Sequence, residues 1–188
     1  LAGAVGAHQQ IENRLGLANH DLDKCVALTC DDGTDLDFLD IEFPGFGKQR
    51  SFFGCLNDAK RQAPHYFHEL HLTAFVIADP VERGQMDRQC LHNQDWMNES
   101  WWLDAQSSGL IGIECHSWDH NHDVLAEPGP DDMKRGDFFQ VDNIARAQFE
   151  IDQALEYINR RINPNACQYF CYPYGTVNDF LRRVYFPG

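Results

Sequence analysis

Leu110-Ile111-Gly112-Ile113-Glu114-Cys115-His116-Ser117-Trp118-Asp119-His120 is the stretch that decides the fold. An apolar run of strand length passes without a break into a polar cluster, as a buried parallel strand does when its carboxyl end opens into a crevice. Two other stretches share this form. Val26-Ala27-Leu28-Thr29-Cys30 leads into Asp31-Asp32-Gly33, and Tyr169-Phe170-Cys171 leads into Tyr172-Pro173-Tyr174-Gly175. In α/β folds the carboxyl ends of parallel strands share one crevice, so residues distant in sequence meet there. Two carboxylates and two imidazoles then belong to one site, enough to ligate a divalent metal with a base beside it.

Between these stretches the chain alternates. Gln9 to Leu17 reads as a short helix and Cys25 to Cys30 as a strand. Pro64 to Leu70 reads as a helix with proline in its first turn, and Leu72 to Ile77 as a second strand. Asn98 to Ser108 is helical up to Gly109, Leu110 to Cys115 is a strand, and Cys167 to Cys171 is another. Ile144, Ala147, Ile151, Ala154, Leu155, Ile158 and Ile162 recur at i+3 and i+4, the stripe of a long amphipathic helix. Such β–α alternation predicts a mainly parallel sheet or barrel. Phe43 to Gly54 and Ala126 to Gly136, rich in Gly, Pro and charge, read as loops over the site.

With 188 residues and 43% hydrophobic composition, one domain spanning 1–188 is expected. No run of about 18 apolar residues is present, so no membrane span is expected. The net charge of −14 argues against nucleic acid as a partner, because phosphate binding needs clustered Lys and Arg. No signal peptide is legible in Leu1 to Ala7. Seven cysteines, an odd number without dense spacing, point to reduced thiols and a cytoplasmic location. Cys30, Cys115 and Cys171 sit beside the three clusters, where they read as small buried hydrophobes rather than ligands or nucleophiles.

Each cluster has a plainer reading. A His116/His120 pair arises by chance on solvated helices, and Asp-Asp-Gly is a common turn. What lifts both above that reading is their place after a buried-looking strand. Adjacent strand residues face opposite ways, so Asp31 and Asp32 suit different tasks, one on a metal and one free as base. Asp31 to Glu42 has the length of a calcium loop, but its sixth residue is Leu36 where Gly is required. Gly45-Phe46-Gly47 lacks the Gly-Lys-Ser/Thr ending of a phosphate loop.

Thr29-Cys30-Asp31-Asp32-Gly33, His116-Ser117-x-x-His120 and Tyr172-Pro173-Tyr174-Gly175, in this order, resemble the first three motifs of the NodB-type polysaccharide deacetylases. Leu72 to Ile77 resembles that family's second strand, and the resemblance covers about residues 24 to 180. It implies an α/β fold, a distorted (β/α) barrel, here incomplete at its C-terminal end. It also implies a metal-dependent hydrolase that removes N- or O-acetyl groups from a sugar or polysaccharide. Asp32, His116 and His120 would bind the metal, most often zinc, and Asp31 would be the base that activates water. Tyr174 would contribute a backbone N–H to the oxyanion; Trp118, Pro173 and Tyr174 would line the substrate.

Two departures accompany the resemblance. The family often has Arg two residues before the third motif's proline, to orient the catalytic Asp; here that residue is Cys171. The family's two later motifs, the second supplying a general-acid His, should follow Pro173-Tyr174-Gly175, so the native chain is expected to extend beyond Gly188. Within 1–188, His122 and Asp119 are the nearest substitutes. Trp101 and Trp102 are neighbours on one helix, so only one is expected to face the core. A related hydrolase of small non-sugar amides and a non-catalytic glycan- or metal-binding protein remain open as alternatives.

Overall fold

The computed structural model describes residues 26–67 and 69–187. The helix expected over Gln9 to Leu17 and the start of the first strand at Cys25 lie outside them. Three parallel strands form the centre: β1 (Leu28–Cys30), β4 (Leu72–Val76) and β5 (Ile111–Cys115), in the order β1-β4-β5. The register pairs Cys30 with Ala74 and Val76 with Cys115, so the polar clusters after β1 and β5 emerge at the same end. The strand expected over Cys167 to Cys171 is reduced to an isolated parallel bridge, Phe170 to Cys115, beside β5. Cys115 N–H donates to Tyr169 O at 3.2 Å and Cys171 N–H donates to Cys115 O at 3.0 Å, which brings the third cluster to that end too.

Every residue of β5 is buried, as expected for a strand covered on both faces. Two helices pack on it side by side, their side chains sharing one cluster with Ile111 and Ile113: α3 (Trp102–Ser108), ended by Gly109 at φ +70°, and the long amphipathic helix. That helix runs from α4 (Ile144–Ala147) through one π-helical turn (Gln148–Asp152) into α5 (Gln153–Ile162). Its stripe of Ala154, Ile158 and Ile162 packs on the sheet core with Ile111 and Ile113. Ala147 and Ile151 join a second cluster with Met133, Phe138 and Leu181. Fully burying an Ile stabilises by about 1.5–3 kcal/mol, so this stripe fixes the helix against the sheet.

Four expectations are corrected. Phe43 to Gly54 is no loop: β2 (Ile41–Phe43) and β3 (Gly47–Gln49) form an antiparallel hairpin, and α1 (Phe52–Gln62) begins at once, with Ser51 Oγ accepting from Gly54 N–H at 3.0 Å. Pro64 then follows a helix instead of opening one; Ala63, at φ −140°, has already left the helix, and Pro64 to Tyr66 is a turn. A further helix, α2 (Pro80–Cys90), lies where none was expected, capped by Asp79, whose Oδ1 accepts from Val81 N–H at 2.8 Å. Finally, Trp101 and Trp102 are both buried. Trp101 stands at the N-cap rather than in the helix proper and donates Nε1–H to buried Asp35 at 3.2 Å, while Trp102 lies under the Arg83 guanidinium, 4.9 Å away.

Candidate metal centre

The turn after β1 carries both aspartates. Asp32 is left-handed at φ +73° and Gly33 at φ +75°. A Cβ on Gly33 would stand 2.6 Å from Val76 Cγ1, so only glycine lets this turn press against the end of β4. The turn after β5 is equally constrained, with Ser117 at φ +73° and His120 at φ +63°. Holding such residues left-handed costs on the order of 1–3 kcal/mol each. Hydrogen bonds on every side offset that cost. His116 N–H donates to Val76 O at 3.0 Å, Ala78 N–H to Ser117 O at 3.1 Å, Asp79 N–H to Trp118 O at 2.7 Å, and His120 N–H to Ser117 Oγ at 2.9 Å.

The result is a convergence of three donors. His116 Nε2 lies 3.6 Å and His120 Nε2 3.7 Å from Asp32 Oδ1. A tetrahedral ion with bonds of 2.0–2.2 Å needs donor separations of roughly 3.3–3.6 Å, so these three residues fit a metal with only small side-chain adjustment. His116 Nδ1 is 3.0 Å from Cys171 O, which fixes Nδ1 as the N–H and leaves Nε2 bare toward Asp32. Burial, then the neighbouring His116 and His122, push the His120 imidazole down to about 3, which keeps it in the neutral form that ligates. The Asp32 carboxyl is raised, chiefly by desolvation, against the pull of His116. Asp31, exposed beside this group, faces the Cys171 thiol, with Sγ 3.9 and 4.0 Å from its two oxygens.

The third cluster closes the site. Pro173 is buried and Tyr174 is left-handed at φ +58°, with its ring edge-on to His120, centroids 4.5 Å apart. His122, partly exposed, lies 5.4 Å from His120 and 6.5 Å from Tyr174, ring to ring. Trp118 turns the other way: its indole packs edge-on against Tyr157 at 5.5 Å and near Phe149 at 6.4 Å, beneath the loop.

Behind the loop is a buried polar cluster that sequence reading missed. Asp119 accepts from Arg135 Nη1 at 2.8 Å and from Asn121 N–H at 2.8 Å, and Asn121 Nδ2 donates to Lys134 O and Asp137 O. Glu150, fully buried in the π-helical turn, approaches Asp119 N–H at 3.4 Å through Oε2, and its main-chain O accepts from Trp118 N–H at 2.8 Å. Burial and then the Asp119 carboxylate push the Glu150 carboxyl well above its ordinary range. One clue was present: Glu150 interrupts the apolar face formed by Ala147, Ile151 and Ala154. The segment 126–136, expected to lie over the site, supplies Arg135 and is tied to the loop by Gly136 N–H donating to Asn121 O at 2.7 Å.

The sequence model of the family described as polysaccharide deacetylase matches residues 18–185, nearly the whole chain. The chain belongs to the polysaccharide deacetylase family. No match was found among curated proteins or among solved structures. Membership makes the chain a deacetylase-type hydrolase associated with carbohydrate metabolism, and Asp32, His116 and His120 form a group whose atoms could hold a metal ion. Among the described residues of this polysaccharide deacetylase, no helix is long and apolar enough to cross a membrane.

Proposed function

We propose that this chain is a metal-dependent deacetylase that removes acetyl groups from an N- or O-acetylated sugar or glycan. The observation that carries the reading is the approach of His116 and His120 Nε2 to one oxygen of Asp32, with a second carboxylate, Asp31, left free beside them. Asp32, His116 and His120 would hold the ion, zinc by preference given two imidazoles and one carboxylate. A divalent ion bound there would lower the pKa of water and polarise an acyl carbonyl.

The chain's own residues supply the rest. Asp31 takes the proton from the attacking water. The backbone N–H of Tyr174 stabilises the oxyanion, a contribution of about 2.7–4 kcal/mol for a well-placed donor. His122, partly exposed and facing the same space, is the candidate to protonate the leaving amine; Asp119 is set aside because Arg135 and the Asn121 backbone occupy its oxygens. Pro173 and Tyr174 line the substrate side, whereas the packing of Trp118 on Tyr157 supports a structural task for that ring. In this reading residues 1–188 form one NodB-type domain, and the parallel sheet is an arc of its distorted (β/α) barrel. The thiols of Cys30, Cys55, Cys90, Cys115, Cys167 and Cys171 are free, which supports a reducing, cytoplasmic location.

Acetate release from acetylated chito-oligosaccharides by zinc-loaded protein tests the reading. Release that a chelator abolishes is expected. Tight oligosaccharide binding without acetate would replace this reading with that of a non-catalytic glycan-binding protein, and turnover confined to small ureido or cyclic amides would move the substrate class.

A further inference from the structure

A second set of donors overlaps the first. Asp31, His116 and Cys171 each offer one ligand atom, and the three atoms lie within 4.8 Å of one another. Cys171 Sγ is 3.9 Å from Asp31 Oδ1. A tetrahedral ion with a bond to sulfur of 2.3 Å and one to oxygen of 2.0–2.2 Å needs these atoms roughly 3.5–3.7 Å apart, within reach of a small rotation of the exposed Asp31 side chain. His116 Nδ1 is engaged by Cys171 O, so Nε2 is the nitrogen left for either set.

We propose that Asp31, His116 and Cys171 form a second metal seat, selective for thiophilic divalent ions such as cadmium or excess zinc, that shares His116 with the first seat. Thiolate ligands select soft ions, whereas magnesium and manganese prefer oxygen, so the donor set discriminates by chemistry rather than by size. Burial and then Asp31 push the Cys171 thiol up to about 12, so it is protonated in the free protein and no ready nucleophile. A coordinating ion displaces that proton, which passes to buffer as the sulfur–metal bond forms. His116 Nε2 cannot serve two ions at once, so filling this seat takes His116 from the first and holds Asp31 as a ligand. The seat itself requires no deacetylase activity; its inhibitory consequence rests on the function proposed above.

The test reads binding without substrate. Cadmium is titrated into the intact chain, following the ultraviolet thiolate-to-metal absorption and, by peptide mass mapping, the rate at which a maleimide alkylates Cys171. Cadmium is expected to slow alkylation of Cys171 at least tenfold, Cys171→Ser to remove part of the absorption, and Asp31→Asn to weaken the Cys171-dependent binding about tenfold. Asp32→Asn should leave the absorption in place. The proposal is overturned by unchanged alkylation of Cys171 in cadmium, or by protection that Asp31→Asn leaves intact. Failure of acetate release alone would strike only the function above, since neither readout uses substrate.

Discussion

His116 Nδ1 and the carbonyl oxygen of Cys171 lie 3.0 Å apart, a hydrogen bond between the strand-end loop after β5 and the segment that runs beside it. It sets the tautomer of the ring and aims Nε2 at Asp32, so two chain segments combine to orient the nitrogen proposed to bind the ion. His116→Ala removes that ligand. Zinc affinity, measured by calorimetry, should fall by more than the about 10–100-fold that an outer-shell change costs. A smaller loss would mean that His116 does not ligate.

The two neighbouring aspartates should separate cleanly. Asp31→Asn is expected to retain zinc while lowering acetate release about 10²–10⁴-fold, the usual worth of a general base. Asp32→Asn should lose zinc. The opposite pattern would exchange their roles.

Arg135 offers a test of the hidden support. Its Nη1 meets buried Asp119 at 2.8 Å, and removing one partner of such a pair leaves a charge stranded, at a cost of about 3–5 kcal/mol. Arg135→Ala should therefore lower the urea midpoint markedly, and Asp119→Asn in the same background should recover part of the loss. Unchanged unfolding in Arg135→Ala would show that the pair carries little.

Asp37 supplies a pH signature. Its side chain is buried, with one oxygen unpartnered, and desolvation raises the carboxyl from its ordinary 3.8 to about 7. Between those values the folded chain keeps a proton that the unfolded chain has released, so stability is full below about pH 4 and declines as pH rises toward about 7. The slope from this group is at most about 1.4 kcal/mol per pH unit. Asp37→Asn should flatten the decline in urea unfolding free energy across that window, and an unaltered slope would assign the effect elsewhere.

The parallel strands and the meeting of their polar ends were legible in the sequence because an apolar run followed by polar residues leaves a strong local pattern, although β1, unlike β5, proves largely exposed; the choice of Asp32 over Asp31 as a ligand came from the family resemblance. Val26 to Gly33 and Leu110 to His120 needed no long-range information. Helix α2 was missed for the converse reason: Val81-Glu82-Arg83-Gly84-Gln85 is too polar to show a stripe, and only Asp79-Pro80 marked its start. Pro64 was misread because proline is favoured both at the first turn of a helix and just past the end of one, and the sequence alone does not separate the two uses. Arg135 and Asn121 were invisible because their partners are chosen by tertiary packing.

Both turns that carry the proposed donors bear on Val76: its carbonyl receives His116 N–H at 3.0 Å, and its side chain fills the space a Cβ on Gly33 would need. The spacing between Asp32 and the histidine pair is therefore geared to the bulk of one apolar side chain. In the proposed centre, ion-size preference would then be a property of the core, adjustable without altering a ligand. Val76→Ala and Val76→Ile should shift the ratio of zinc to manganese affinity in opposite directions; equal ratios in both would show that the two turns are set independently.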